Sequence, residues 1–443
     1  MDFLKQIALP QSAGEITVLH FVLNFVYIIF LPFVSYLFGA LVLSLYYGRF
    51  GRKHSDAYAV NLSKDILEHI LPNKSILFLF GVVPYMAIVF AYAQLLQGTT
   101  AMSVSLLTWG ACIFAAGTVF ASSYHAALKL SSVLENVSQK NEEVENVRTE
   151  AVETKHTSGK YAVLFLAVSM ALFLAGTTHA ADPAQWEVVG SVIELLFTLD
   201  VVIRLVQFVL LSFTLTALGT LYFTFSWQGG IKNLKSEYTE YLKNKLLTLA
   251  LVAILLQPIF IALSVLSNPN GGLSGIFFGA AFFGILLLFI IIHFVYGMIK
   301  EFNPVYSANA FFLIIFVFLS NSIQDNSALS RATQQQSMML AYQYDKYHEE
   351  LLAKMGINLK VVTGSEIFGA KCSACHEFGK KKIGPAYKDV LPKYESDRAK
   401  LLSFILSPQK MNPAFPAMPN QGLKPAEADS IAAYIMTMYK QAP

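Results

Sequence analysis

Apolar residues fill most of this chain in blocks too long for the core of a soluble domain, separated by short polar breaks. About eight blocks are long enough to cross a bilayer as helices: 17–47, 75–96, 102–128, 161–181, 188–227, 246–267, 274–299 and 304–322. The fifth exceeds a single crossing, so an interfacial or tilted stretch over Trp186–Leu199 is expected to precede the span itself. The stretch 131–160 mixes Glu and Lys and reads as a solvated helical hairpin. After Asn321 the pattern turns polar, and 324–355 predicts a helical tether with no core of its own. Residues 356–443 then form a domain of roughly 90 residues, marginal for an independent core unless something staples it. The expected fold class is all-α, with 1–323 a membrane helix bundle, 324–355 the tether and 356–443 the small domain.

Composition agrees with a membrane chain. Hydrophobic residues make up 55% and charged residues 14%, and Phe alone occupies 35 positions. A soluble protein carries roughly 25% charged residues. The net charge of +3 gives no ground for a nucleic-acid partner, and none is expected. The distribution of the cations says more. Four loops carry Lys and Arg: Arg49, Arg52, Lys53, Lys64 and Lys74; Lys129, Lys140, Arg148, Lys155 and Lys160; Lys232, Lys235, Lys243 and Lys245; and Lys300. The alternate loops, near 97–101, 181–187 and 268–272, carry none. By the positive-inside rule the N-terminus lies outside, the basic loops face the cytoplasm and the C-terminal domain returns outside. Met1–Thr17 lacks the basic start and short apolar core of a cleavable signal. The setting this implies is the bacterial inner membrane, with the small domain on its periplasmic side.

Two of the three cysteines sit in Cys372-Ser-Ala-Cys375-His376. C-x-x-C-H is the attachment signature of c-type haem, because two thiols three positions apart reach the two vinyl groups of one porphyrin and the adjacent imidazole meets the iron. A zinc site would need a second C-x-x-C, and a dithiol redox pair has no use for the following histidine.

Around that motif, 356–443 resembles the class I cytochrome c family. Gly364-Ser-Glu-Ile-Phe368 followed by Lys371-Cys372 resembles its first helix, and Ile383-Gly384-Pro385 the loop whose proline carbonyl orients the proximal histidine. Pro416-Ala-Met418-Pro419 is similar to the loop of the distal methionine. Ala426–Tyr439 is similar to the closing helix, with Ile431, Tyr434 and Ile435 toward the haem. The resemblance implies one covalent haem c on Cys372 and Cys375, with iron held by His376 and Met418, a pairing that raises the reduction potential. Met411 is the competing sulfur, but it lacks the proline frame.

Nine histidines occur, and His20, His125, His179 and His293 fall in spans, where polar groups usually mark function. His20 and His179 are expected at the outer level, His125 and His293 at the inner level. Two bis-histidine b-type haems stacked across the membrane need such an arrangement. The scheme resembles di-haem b-type cytochromes, although those of the bc complexes carry two histidines on each of two helices. His20 near the start of the first span is also similar to the large subunit of bd-type quinol oxidases. In the fifth block, Asp200 and Arg204 are four apart and can neutralise each other on a helix. An alternative assigns Arg204 to a haem propionate, with Glu194 taking protons from a quinol. Cys112 reads as a small buried residue, and Trp109, Trp186 and Trp227 as interfacial or packing residues.

The leading expectation is a membrane electron-transfer cytochrome linking the quinone pool or membrane b haems to an extracytoplasmic c haem, within a larger respiratory or photosynthetic complex. It would act as a quinol oxidoreductase or as a component of one. A chain whose spans bind no haem and only dock partner subunits remains an alternative, as does a terminal oxidase subunit.

Overall fold

The computed structural model describes residues 11–71, 74–135, 141–231, 234–355, 362–395 and 397–441. Lys140, Lys232, Gly356 and the first part of Met1–Thr17 lie outside the described residues. Every regular element among those described is helical. Eight helices are long and apolar enough to cross a membrane: α1 (Ala13–His54), α3 (Lys74–Leu95), α4 (Ser103–Glu135), α5 (Glu142–Ala180), α6 (Leu199–Phe225), α7 (Ser236–Ser267), α8 (Gly275–Lys300) and α9 (Pro304–Ala332). A shorter amphipathic helix, α2 (Ala57–Ile70), follows α1 and is capped by Asp56, whose carboxylate accepts from the Ala59 amide at 3.1 Å.

The 42 residues of α1 make a rod of about 63 Å, twice the hydrocarbon thickness, so it extends past the bilayer into the basic segment Arg49–His54. Helices α4 and α5 likewise overrun the membrane and pair as a hairpin. Before α6, a single turn at Pro183–Gln185 precedes the expected interfacial stretch and a short helix over Val192–Leu196 lies within it, and Thr198 in extended conformation separates that helix from the span.

Lipid is as apolar as Leu, so close helix contact depends on small residues. A Cβ at Gly39 of α1 would lie 2.5 Å from the Ser212 carbonyl oxygen of α6, and Thr216 bonds the Tyr36 carbonyl beside it at 3.3 Å. Gly117 and Gly176 bring α4 and α5 together in the same way. Aromatic rings of Phe30, Tyr85, Phe114 and Phe173 fill the space between α1, α3, α4 and α5.

Two compact units divide the chain at Ala332 and Thr333, the second also taking in the start of α1 before His20. The change to polar sequence at 324 falls inside α9, which continues unbroken to Ala332. Then α10 (Gln334–Lys354) begins the second unit. It does more than tether: Tyr342 packs with Leu402 and Ala428, and its hydroxyl donates to Asp429. The rest of that unit comprises α11 (Gly364–Ile367), α12 (Tyr387–Val390), α13 (Arg398–Leu406) and α14 (Pro425–Gln441). Its core joins Ile367, Leu391, Tyr394, Leu401, Ile405, Ile431 and Ile435.

Candidate haem site

Thr363 and Glu366 form a reciprocal capping box that starts α11. The helix widens to a π-turn over Phe368–Cys372, closed by the Ser373 amide on the Phe368 carbonyl at 2.8 Å. Gly364 allows α11 to cross α14 closely, since a Cβ there would meet the Ser430 carbonyl oxygen at 2.3 Å. The cysteine motif is then wound by its own backbone: the amides of Cys375 and His376 both donate to the Cys372 carbonyl, at 3.1 and 3.0 Å. Cys372 is buried, and that burial pushes its thiol up.

Gly384 returns the chain over this turn, its amide donating to the Cys375 carbonyl at 2.8 Å. One residue later the Pro385 carbonyl lies 3.1 Å from Nδ1 of His376. Since a carbonyl only accepts, Nδ1 carries the proton and Nε2 keeps a free lone pair. Two neighbours clamp the ring. Tyr387 stacks on it with centroids 5.0 Å apart and planes 9° from parallel, and any Cβ at Gly384 would approach its Cε1 to 2.4 Å.

A cavity of about 560 Å³ opens beside this histidine, lined among others by Cys372, Cys375, His376, Met418, Leu391 and Ile435. Its size is that of a cofactor site. The loop carrying Met418 is held from both sides: Lys371 Nζ donates to the Gln421 carbonyl at 3.1 Å, and Asn420 Nδ2 to the Leu406 carbonyl at 3.0 Å. The same loop turns at Gly422, whose φ of +58° disfavours other residues. Met411 also borders the cavity, but it is 63% exposed while Met418 is half-buried. Both thiols, the imidazole with its bare Nε2 and a thioether thus converge on one apolar space, a donor set that fits a covalently attached haem. Of the three residues expected on the cavity side of α14, Ile435 lines it and Ile431 sits in the core; Tyr434 instead turns to Phe368, 5.7 Å between centroids.

The membrane histidines separate into two cases. Tyr27 and Phe30 of α1 touch Phe173 of α5. His20 lies seven residues from Tyr27 and His179 six from Phe173, so at 1.5 Å per residue both reach one level of these antiparallel helices. His20 has Nδ1 2.7 Å from Asn326 Oδ1, and the Asn326 amide donates back to the His20 carbonyl at 2.8 Å. That leaves Nε2 of His20 unprotonated, buried and, among the described residues, without a hydrogen-bond partner. His179 is 1% exposed. The inner pair is not brought together in this way. His125 lies within 4.0 Å of Glu68, beside the Lys129–Glu68 ion pair, whereas His293 is exposed on α8, which packs between α7 and α9. An exposed imidazole facing away from the bundle cannot share an iron with a group on α4.

Arg204 pairs with Asp200 at 3.2 Å, as their spacing predicts, and with Asp325 of α9 at 2.5 Å, which it does not. Its third donor nitrogen lies 3.5 Å from Asn268 Oδ1, so the guanidinium is committed to carboxylates and does not stand open for a propionate. Glu194 is exposed on the short helix before α6. Cys112 is exposed on α4, so the expectation of a buried thiol is corrected: it lies on an outward face of the span.

Comparison with known proteins matches residues 361–439 to the family described as Cytochrome c. The cytochrome c-551 of Pseudomonas denitrificans is 39% identical over 80 residues, which are 17% of this chain and 98% of that protein.

Proposed function

Because the chain belongs, through its C-terminal domain, to the class I cytochrome c family, we propose that it is a membrane-held electron carrier delivering electrons between a donor in or at the bilayer and an extracytoplasmic acceptor. The observation that carries this reading is the convergence of Cys372, Cys375, His376 and Met418 on one cavity of about 560 Å³. When bound, haem c supplies a one-electron couple, whose potential the protein sets by ligation and burial. Cys372 and Cys375 fix the group covalently. The Pro385 carbonyl holds the His376 proton on Nδ1 and so presents Nε2 as the ligand. The Met418 thioether, on the braced loop, favours the reduced state. The one-sided distribution of Lys and Arg supports an extracytoplasmic position for this domain at a bacterial inner membrane.

A second reading has its own support. His20, with Nδ1 anchored on Asn326 and a bare buried Nε2, has the arrangement of an iron ligand, and His179 reaches the same level. One b-type haem on that pair would let the membrane domain receive electrons, from quinol or from a partner subunit, before they reach the c haem. The alternative is a chain whose spans only anchor the cytochrome.

Pyridine haemochrome quantitation on the purified full-length chain tests both. One covalent c haem per chain is expected, lost in Cys372→Ser and in Cys375→Ser. Met418→His should keep that haem and lower its potential, whereas Met411→His should leave it unchanged; the reverse result overturns the ligand assignment. A b-type band that disappears in His20→Ala supports the second reading, and a parent protein without such a band leaves only the anchor.

A further inference from the structure

At the end of the bundle that carries the basic loops, α1 and α5 enclose a cavity of about 380 Å³. Its walls carry six basic side chains: Arg49, Arg52, Lys53 and His54 from α1, and His156 and Lys160 from α5. The spacings put them there. Arg49 and Arg52 are three apart and Arg49 and Lys53 four apart, so they share a helix face, and His156 and Lys160 share one on α5. The helices meet just beyond the cavity at Gly159, where a Cβ would come within 2.7 Å of the Leu45 side chain.

Gathering like charges in this way is unfavourable by itself. Two other cations at this end have carboxylate partners, Lys129 with Glu68 at 2.9 Å and Arg148 with Glu145 at 3.1 Å, and Lys243, Lys245 and Lys300 lie over aromatic rings. Among the described residues, no carboxylate lies within ion-pair distance of Arg49, Arg52, Lys53 or Lys160. All four are exposed, so water solvates them in the chain alone, and an anion from outside the described chain can take its place. The position of the cavity says from where. It lies where the apolar run of α1 gives way to charge, and its wall includes Leu45 and the rings of Tyr46 and Phe50, stacked 6.2 Å apart. Aromatic side chains at that depth mark the headgroup level of a bilayer. An anion with a phosphate for the cations and an acyl chain for Leu45 and Tyr46 satisfies both halves.

We propose that this cavity binds the phosphate of an anionic phospholipid headgroup, fixing α1 against α5 at the membrane surface. The inference rests on the spans and not on the haem. Near an anionic surface each cation contributes about 5-fold in affinity. The test uses the full-length chain in nanodiscs of phosphatidylcholine doped with phosphatidylglycerol, with lipid enrichment around the protein read by native mass spectrometry. The parent should retain phosphatidylglycerol in preference to phosphatidylcholine, and millimolar inorganic phosphate should not displace it. Arg49→Gln/Arg52→Gln/Lys160→Gln should lose that preference by about 100-fold, while Lys300→Gln, a cation at the same end but outside the cavity, should keep it. Absence of preference in the parent overturns the proposal without recourse to any variant. So does displacement by inorganic phosphate, which would make the site one for a free anion, and so does a triple variant that binds as the parent does.

Discussion

Gly384→Ala tests the geometry of the site most directly, because the cause of its effect is confined to one contact. The added Cβ would lie 2.4 Å from Cε1, 2.8 Å from Nδ1 and 2.9 Å from Nε2 of His376, against 3.4 Å or more in ordinary contact. The imidazole would have to retreat by about 1 Å, and Tyr387, stacked on the same ring with centroids 5.0 Å apart, restrains it. Either the ring tilts and loses the Pro385 hydrogen bond, or the loop over 383–385 lifts off the cysteine turn. Overpacking of this kind costs about 1–3 kcal/mol, and the lost hydrogen bond about 1 kcal/mol more. Backbone strain adds nothing, since Gly384 is not among the positive-φ glycines. For a domain of this size a loss of about 2 kcal/mol lowers the melting midpoint by roughly 10 °C. Thermal unfolding of the holoprotein followed in the Soret band measures it, with the reduction potential read on the same sample. Gly379→Ala is the control, because among the described residues no atom lies within 4 Å of a Cβ there. A Gly384→Ala protein that melts with the parent and keeps its potential would refute the clamped-ring account.

Two further outcomes follow from buried polar pairs. Arg204→Ala would leave Asp200 and Asp325 facing each other without their shared cation, and should lower the melting midpoint of the membrane domain in detergent by an amount equivalent to about 3–5 kcal/mol; a midpoint equal to the parent's would sink the idea. In the second unit, burial and the bond to Asp429 hold the Tyr342 hydroxyl well above the usual tyrosine range. Its folded state therefore keeps a proton that the unfolded chain releases near pH 10, so its contribution is complete below that pH and is lost as pH rises beyond it. Tyr342→Phe should flatten the fall in stability between pH 9 and 11, and a profile identical to the parent's would count against the buried pair.

The spans and the cysteine motif could be read from the sequence because their determinants are local. Bilayer thickness sets a length, and two thiols with an adjacent imidazole set a spacing, so neither needs knowledge of the fold. What escaped was set by distant partners. Asp200 and Arg204 announce themselves at four residues apart, but Asp325 reaches the same guanidinium from α9, 121 positions away. Tyr342 lay in a polar stretch with no apolar period, so its packing on Leu402 and Ala428 depended on a surface that only the folded domain provides. The histidines show the limit most clearly. Depth along a span can be counted from either end, and such a count assigns His20 and His179 to one level. Which way a side chain faces depends on the rotation of its helix against its neighbours. Helix α8 is apolar around its whole circumference, so no polar stripe in its sequence could show that His293 points outward.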